Sequence, residues 1–517
     1  MLFSFPEIVH SNSKEIILRA NSSWAFCINA KKGEEKYYLL KNNFLNQQKL
    51  KKINLFHNFV NFVNSIDESN KLELRDYQKE DIFFLSKEKS CGIFNEVRTG
   101  KTITALMIFL KWPVKKLLII VPSILQQQWQ DSIERWLNKP AFIITFLKKK
   151  QRYFFYDKLF NEDEWIIIVS KDTFKIDIEY LNKKKKENWY FCVIIDEAHW
   201  LRNYQSKQSK SIFKIASKLL YKIAITGTPI TNHFSDIFGI LKFLKPFIFT
   251  SYWKFVYNFF FVRETEFKKN NKIYKICKIG EIKDKKRWES FRNYLRRITV
   301  SRKQKEILPW LPSIIYRKEK LFMEEKQEKI YLKEKKKRNG KETLRKLTKL
   351  KTITLFPPVL NFSVLGVKVN YLLEFLSEKE KERIIIFSTR SKTFLEPLSK
   401  ILKKKKINNK IITGKTNYKI KNEIIRSFQN KEINLLLCNI KSMGIGITLS
   451  QADTIIFADR SYSPSENEQA EARFLPTNIS DDSKKVRLII DLVCQGTIDE
   501  KILKILEKKK KMSKGIN

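Results

Sequence analysis

Two short motifs carry the residue types that nucleoside triphosphate chemistry requires. Residues 98–102 read Arg-Thr-Gly-Lys-Thr, and residues 196–199 read Asp-Glu-Ala-His. The first supplies a lysine and a hydroxyl behind a glycine turn, which can bind nucleotide phosphates and a magnesium ion. The second supplies two adjacent carboxylates that can hold a metal ion and an attacking water. Because both motifs follow apolar, strand-like runs, together they predict hydrolysis of a nucleoside triphosphate.

The first motif is an incomplete phosphate-binding loop. Asn95 stands where the pattern Gly-x-x-x-x-Gly-Lys-Thr has its first glycine. The other end is intact, because amides at a helix start can receive phosphate oxygens. We predict that Lys101 reaches the outer phosphates and that the Thr102 hydroxyl faces magnesium. The alternative is a helix cap that binds no ligand. The predicted nucleotide-binding residues of the loop are Arg98, Thr99, Gly100, Lys101 and Thr102.

The carboxylate motif follows four apolar residues, Cys192–Ile195. This order would place Asp196 at the carboxyl end of a central strand, where ligands bind in open α/β sheets. We predict that Asp196 holds magnesium through water, and that Glu197 orients and deprotonates the attacking water. The alternative is a helix that simply begins with two acidic residues.

Short apolar runs rich in β-branched residues alternate with helical stretches on both sides of a basic middle segment. Such runs are typical of parallel strands that are buried on both faces of a sheet. The predicted fold class is therefore α/β, with two tandem parallel-sheet domains. The predicted strands are 116–121, 165–169, 191–195 and 222–225, then 383–387, 408–412, 434–438, 454–458 and 486–493.

Four segments make up the predicted domain organisation. Residues 1–65 form a small N-terminal accessory module, which alternating apolar and polar residues predict to be β-rich. The first α/β domain spans residues 66–245, and the second spans residues 363–517 and ends in a lysine-rich helix. Between them, residues 246–362 are first aromatic and then strongly basic, and we predict a helical basic insert and a linker there.

The charge balance points to a polyanionic partner. The chain of 517 residues has 102 Lys and Arg against 55 Asp and Glu, a formal net charge of +47. A field of that sign attracts nucleic acid. The abundance of lysine, asparagine, isoleucine and phenylalanine is also typical of an AT-rich genome, so part of the excess reflects that bias.

The cysteines and the N-terminus indicate the cellular compartment of the protein. Six cysteines occur with no Cys-x-x-Cys pair, and there are four histidines, so a structural zinc site is not expected. Scattered thiols suit an intracellular, reducing compartment. The apolar N-terminus lacks a basic start, so we predict no signal peptide. No uncharged run approaches the ~20 residues of a membrane span, so we expect no membrane partner.

Seven motifs in this order resemble those of superfamily two helicases, and specifically the Swi/Snf-like DNA-dependent ATPases. The resemblance runs from about Leu74 to Leu506. Residues 196–199 resemble the DEAH form of the carboxylate motif, and the compact chain resembles members carried by phages or mobile elements. In chain order the seven are Leu-Arg-Asp-Tyr-Gln at 74–78, the segment Ile120–Trp129, Thr-Gly-Thr-Pro at 226–229, the segment Leu295–Leu311, Ile-Ile-Ile-Phe-Ser at 384–388, Gly-Ile-Gly at 444–446 and Gln-Ala-Glu-Ala-Arg at 469–473.

The resemblance implies two RecA-like domains that close on ATP and Mg²⁺ while tracking duplex DNA. It implies that Gln78 reads adenine and that Gly446 contributes to the nucleotide site from the second domain. Arg473 is expected to complete the site, since arginine stabilises the charge that develops on the transferred phosphoryl group. Gln469 is expected to contact the γ-phosphate or His199 and so to report closure.

One departure from the family pattern concerns the last motif. The family has a second arginine three residues after the first, and this chain has Pro476 there. Proline can donate neither a charge nor a hydrogen bond. Three interpretations stay open: Arg473 suffices, another cation such as Arg460 contributes, or catalysis is impaired.

The predicted function is ATP-dependent translocation along DNA, of Swi/Snf-like, chromatin-remodeller-like type. One alternative is a helicase that separates the strands of DNA or RNA. Another is a catalytically inactive scaffold that binds nucleic acid, which the intact motifs oppose. We expect contacts to the DNA backbone, because hydroxyls and lysines suit phosphates. The predicted contacts are Ser123, Ser170, Lys171, Ser388, Thr389, Lys415, Lys441 and Ser442.

Overall fold

The structure, a computed structural model, confirms the α/β fold class with two parallel sheets. It describes residues 7–11, 15–19, 31–32, 37–41, 74–184, 189–269, 272–336, 344–443, 449–476 and 486–513. Within these ranges no helix is both long enough and apolar enough to cross a membrane.

The first parallel sheet has seven strands. They are β5 (Ser90–Ile93), β6 (Lys116–Val121), β7 (Phe142–Ile143), β8 (Trp165–Ser170), β9 (Cys192–Ile195), β10 (Tyr221–Ile225) and β13 (Thr299–Val300), in the spatial order β13-β5-β10-β9-β6-β8-β7. Alternate side chains of β6 enter the two cores on opposite faces, Leu118 on one and Leu117 on the other. This double burial explains why the strand is apolar throughout.

Helices cover both faces of this sheet, and short 3₁₀ turns join several of them to the strands. The helices are Asp76–Leu85, Lys101–Lys111, Gln126–Leu137, Lys149–Asn161, Lys171–Lys183, Lys207–Ala216 and Phe238–Leu244. The chain therefore returns repeatedly to the same edge of the sheet, where the carboxyl ends of parallel strands present their loops.

The second parallel sheet has six strands, in the spatial order β14-β19-β18-β15-β17-β16. They are β14 (Ile314–Leu321), β15 (Ile384–Ser388), β16 (Lys410–Ile412), β17 (Leu435–Asn439), β18 (Thr454–Phe457) and β19 (Arg487–Cys494). Its helices are Val367–Glu378, Glu396–Lys404, Tyr418–Gln429, Pro464–Ala472 and Ile498–Ser513. Apolar cores again fill both faces, with Ile386 on one side and Ile385 on the other.

The prediction that residues 246–362 form a helical insert and a linker was wrong in three places. Strands β11 (Phe260–Lys269) and β12 (Lys272–Ile282) form an antiparallel hairpin, β13 is an edge of the first sheet, and β14 is an edge of the second sheet. An edge strand needs few apolar residues because one side is exposed, so its sequence resembles a linker. The helices of this segment are Tyr252–Phe259, Lys285–Ile298, Gln304–Ile307, Glu325–Lys336 and Leu344–Leu355.

The N-terminal segment contains a four-stranded antiparallel sheet. Its strands are β1 (Glu7–Ser11), β2 (Glu15–Arg19), β3 (Lys31–Lys32) and β4 (Tyr37–Lys41), in the spatial order β1-β2-β4-β3. The domain boundaries at residues 65, 245 and 362 stay predictions.

Candidate nucleotide site between two domains

The phosphate-loop candidate lies between the end of β5 and the helix Lys101–Lys111. Gly100 precedes this helix with φ 68° and ψ 34°, in the left-handed region. A Cβ built on Gly100 would lie 2.3 Å from Nε2 of Gln78. The backbone conformation therefore favours glycine here, and a Cβ would displace the amide end of Gln78.

The helix Asp76–Leu85 places Gln78 against this loop. Nε2 of Gln78 lies 3.5 Å from the backbone carbonyl oxygens of Thr99 and Gly100 and donates to both. The hydroxyl of Tyr77 donates to the Thr99 carbonyl at 3.0 Å. These contacts fix the outer edge of the loop, while the adenine-reading role of Gln78 stays a prediction.

Lys101 and Thr102 open the helix that follows the loop. Nζ of Lys101 donates to the Glu96 carbonyl at 2.9 Å. Burial lowers the pKa of Lys101, and the carboxylates at 196–197 oppose that shift. A Cβ on Gly227 would lie at an ordinary contact distance of 3.7 Å from Nζ, so the 226–229 loop lies directly beside the ammonium group. A buried cation among backbone groups suits an anionic phosphate.

The acid pair follows the last residue of β9, at the carboxyl end of the sheet. Nε1 of Trp129 donates to Oδ2 of Asp196 at 2.8 Å, and the Glu197 amide donates to Oδ1 at 2.7 Å. Burial raises the pKa of Asp196 to about 6, and the charge of Glu197 adds to the rise. A buried carboxylate at this position fits Mg²⁺, which prefers oxygen ligands, with the Thr102 hydroxyl as a second candidate ligand.

Glu197 has the opposite electrostatic setting. Its carboxylate Oε2 lies 3.1 Å from Nδ1 of His199, which in turn lies 3.5 Å from Oγ1 of Thr226. Burial by itself raises the pKa of Glu197, but His199, Lys101 and Arg473 outweigh it, so the pKa is lowered overall. An ionised carboxylate in this position can accept a proton from water.

The second domain reaches the acid pair through the helix Pro464–Ala472. Nε2 of Gln469 donates to Oε1 of Glu197 at 2.7 Å. The sequence predicts the γ-phosphate or His199 as the partner of Gln469, and in the structure the partner is Glu197. Oε2 of Glu197 faces His199 of its own domain, and Oε1 faces Gln469 of the second domain. The predicted base is therefore itself a point of contact between the two domains.

Arg473 follows the same helix and lies at the junction of the two domains. Burial lowers the pKa of Arg473 to about 10, and the charge of Glu197 opposes the shift. The backbone carbonyl of Arg473 accepts a hydrogen bond from Nη2 of Arg98 at 3.3 Å. The structure thus brings one group of predicted residues together: Lys101, Asp196, Glu197, Gln469 and Arg473.

Two other predicted contributors stand apart from this group. Nε of Arg460 lies 2.5 Å from Oδ1 of Asp491, and its Nη1 pairs with Glu471. Arg460 is therefore held by two carboxylates and braces the helix that carries Gln469. Gly446 lies outside the described residues.

Asn95 has a partner that the sequence does not reveal. Its Nδ2 donates to Oδ2 of Asp81 at 2.7 Å, and Oδ1 of Asp81 lies 2.8 Å from Nη2 of Arg302. The side chain that stands in place of a glycine thus ties the phosphate loop to the helix Asp76–Leu85. No local pattern links Asp81 or Arg302 to the loop, because these residues are distant in sequence.

Half of the predicted DNA-backbone contacts have internal roles instead. Ser170 caps the helix that follows it. Ser388 and Thr389 both donate to the buried Asp459, and Ser442 is itself buried. Hydroxyls at strand ends satisfy nearby polar groups, so their position at the sheet edge does not make them available. The remaining candidates are Ser123, Lys415 and Lys441, which are exposed, and Lys171, which is half-buried.

A cavity of about 290 Å³ adjoins the acid pair between the two domains. Glu197, His199 and Gln469 form part of its wall. Three cations from the two domains also line it: Lys171, Arg202 and Lys441. Glu466 also lines the cavity and lies 3.8 Å from Nζ of Lys441, so with Glu197 the lining holds two carboxylates against three cations. The remaining excess of positive charge favours a polyanion on the side of the acid pair that faces the second domain.

Two family models match the chain. The SNF2-related domain matches residues 46–411, and the helicase conserved C-terminal domain matches residues 367–475. Together they cover most of the two α/β domains described above.

Among similar proteins, an uncharacterized ATP-dependent helicase of Mycoplasma genitalium is 25% identical over 87% of this chain and 43% of its own length. The corresponding protein of Mycoplasma pneumoniae is 25% identical over 92% of this chain and 45% of its own length. The chain thus spans less than half the length of these curated relatives. The solved Sulfolobus solfataricus SWI2/SNF2 ATPase core in complex with dsDNA is 22% identical, with a TM-score of 0.40, over 86% of this chain and 93% of that one.

Proposed function

This chain belongs to the SNF2-related domain family, and on that basis we propose that it is an ATP-dependent DNA translocase of Swi/Snf type. The proposed reaction is hydrolysis of ATP, stimulated by duplex DNA and coupled to movement along the duplex without strand separation. The proposed setting is an intracellular, reducing compartment, which the six cysteines without paired spacing support.

One observation carries the proposal: Nε2 of Gln469 lies 2.7 Å from Oε1 of Glu197, across the domain interface. A motor requires the chemistry of one domain to depend on the position of the other. Here the predicted base of the first domain hydrogen-bonds a side chain of the second. Closure of the domains therefore orients Glu197 and brings Arg473 to the same site.

Each residue of the site has a proposed task. Lys101 binds the outer phosphates, and Glu197 orients the attacking water and takes its proton. Arg473 stabilises the negative charge that develops on the transferred phosphoryl group. Thr102 and Asp196 would hold Mg²⁺, which when bound neutralises phosphate charge. His199 connects Glu197 to Thr226 and so to the 226–229 loop.

The DNA backbone is the proposed partner on the far side of the acid pair. The cavity there is lined by Lys171, Arg202 and Lys441, contributed by the two domains. Lysine and arginine bind phosphates without reading the base sequence. Closing the domains would change the spacing of these cations, which is how hydrolysis could move the protein along the backbone.

A phosphate-release assay with and without duplex DNA tests the proposal. We expect DNA-stimulated hydrolysis by the parent protein and its loss in Lys101→Ala, because the phosphate-binding ammonium is removed. Glu197→Gln should bind ATP but not hydrolyse it. Lys111→Ala, at the exposed end of the same helix, is the matched control and should retain parental turnover.

The outcomes separate the alternatives. Parental rates in both site variants would contradict the assignment of the site. Absence of hydrolysis in the parent protein would favour a nucleic-acid-binding scaffold. If the parent is active, displacement of a third strand from a triplex without opening of a forked duplex indicates translocation, whereas opening of the fork indicates a strand-separating helicase.

A further inference from the structure

Arg98 has an unusual backbone for its residue type. It lies in the phosphate loop with φ 61°, in the left-handed region that favours glycine. A residue with a Cβ pays roughly 1–2 kcal/mol in this region. Such a conformation persists when other contacts hold it in place. The contacts of Arg98 therefore show how the conformation of the phosphate loop is stabilised.

The guanidinium of Arg98 crosses to the second domain. Nη1 donates to the Leu475 carbonyl, and Nη2 donates to the Arg473 carbonyl at 3.3 Å. Both carbonyls lie in the turn that follows the helix Pro464–Ala472, and the Arg473 carbonyl also accepts from the Leu449 amide at 2.7 Å. A planar guanidinium suits two acceptors in one turn.

Repulsion between Arg98 and the neighbouring arginines opposes this contact. Burial, together with the positive charges of Arg473 and Arg487, lowers the pKa of Arg98 to about 9. Like charges in a buried interface are costly unless an anion lies near them. A bound triphosphate would supply that anion beside Lys101.

We propose that Arg98 is a positioning residue, which latches the phosphate loop to the turn carrying Arg473 and thereby couples nucleotide binding to placement of the arginine finger. The turn ends at Pro476, which has no side-chain donor, so the stabilising guanidinium comes from the opposite domain. The inference rests on the proposed function, since it concerns how the same site is completed.

The latch predicts a particular kinetic signature. ATP binds first to the phosphate loop, so Arg98→Gly should leave the KM for ATP within about twofold of the parent. The finger is then poorly placed, so kcat should fall about 10- to 100-fold, as expected for loss of hydrogen bonds to a charged group. Glycine also relieves the left-handed strain, so the variant should fold. Lys431→Gly is the matched control, because Lys431 is exposed with φ 66°.

A double-mutant cycle with Arg473→Ala decides whether Arg98 acts through Arg473. If it does, the double variant Arg98→Gly/Arg473→Ala should turn over no more slowly than Arg473→Ala alone. Multiplied losses, or a raised KM with unchanged kcat, would overturn the proposal and make Arg98 an independent phosphate ligand.

Hydrogen–deuterium exchange supplies a readout that does not depend on turnover. In Arg98→Gly the amides of residues 473–475 should exchange faster than in the parent and in Lys431→Gly. Unchanged exchange overturns the latch. A parent protein that fails to hydrolyse ATP contradicts the proposed function, while the exchange experiment still tests the contact itself.

Discussion

Adjacent carboxylates in the site have opposite tendencies. Burial raises the pKa of Asp196 to about 6, whereas His199, Lys101 and Arg473 together lower the pKa of Glu197. When environments separate the pKa values of two neighbouring groups, the groups can take different roles. The ionised Glu197 suits a base, and Asp196 needs a cation to be fully ionised, which suits a metal ligand.

At the same scale, Arg473→Ala and Arg460→Ala should behave differently. Arg473 faces Glu197, so its removal should lower kcat by about a thousandfold while leaving ATP binding largely intact. Arg460 is held by Asp491 and Glu471, so its removal leaves two half-buried carboxylates without their cation. Steady-state kinetics and thermal melting of each variant are the measurements.

We expect a lower melting temperature for Arg460→Ala and a nearly parental one for Arg473→Ala. Loss of turnover in Arg460→Ala at parental stability, with near-normal turnover in Arg473→Ala, would transfer the finger role to Arg460.

Among the elements, the strand β13 and the residues after it hold the phosphate loop. The Phe94 amide donates to the Val300 carbonyl at 2.8 Å, and the Glu96 amide donates to the Arg302 carbonyl at 3.0 Å. The Gln304 amide donates to Oε2 of Glu96 at 2.9 Å. This segment directly follows the helix Lys285–Ile298, so the insert is connected to the nucleotide site through it.

Arg302→Met should weaken this connection. Asp81 is fully buried, and burial raises its pKa against the charge of Arg302. Without that charge its carboxylate is uncompensated, and the free energy of unfolding should fall by about 1–3 kcal/mol. The deficit should shrink at acidic pH, because the folded-state pKa rises further and protonation then removes the buried charge.

Denaturant unfolding at about pH 8 and about pH 5 measures this difference. Lys303→Met is the control, since Lys303 is half-exposed and pairs with the exposed Glu306, and its effect should stay within about 0.5 kcal/mol. Equal deficits in the two variants, or a deficit that grows at low pH, would contradict the buried-pair explanation.

Across the whole molecule, charge and domain geometry act together. The net charge of +47 is spread over the chain, but the cavity beside the acid pair concentrates cations from both domains. Charge spread over the surface attracts any polyanion. Cations contributed by both domains, by contrast, change their spacing when the domains close. The two contributions differ in how they depend on salt and on particular lysines.

DNA affinity should therefore fall steeply with salt and depend little on base sequence. The log–log slope should be roughly −0.7 to −0.9 for each neutralised phosphate. Lys171→Ala combined with Lys441→Ala should reduce the slope by about one to two phosphates, and exposed Lys404→Ala, the control, should change it less. Fluorescence anisotropy across a salt series measures these slopes. A sequence preference that survives high salt would contradict backbone binding.

Much of the architecture is determined by the sequence itself. The run 116–121 is a strand with those same ends, and the other predicted strands lie within two residues of β8, β9, β10 and β15 to β19. Strands buried on both faces must be apolar throughout, so a short stretch of sequence is enough to predict them. The convergence of Lys101 and Asp196 also follows, because carboxyl ends of parallel strands share one edge.

Only the tertiary structure decided the partners of the charged residues. Arg98 and Leu475 are 377 positions apart, and Arg302 and Asp81 are 221 apart. The hairpin β11–β12 and the edge strand β14 likewise depend on pairing and not on a fully apolar run. An apolar residue is buried by its own transfer free energy, but a guanidinium is buried only where acceptors from another element meet it. Domain closure meets that requirement for Arg98, and packing of the segment after β13 against the helix Asp76–Leu85 meets it for Arg302. No local stretch of sequence encodes either arrangement.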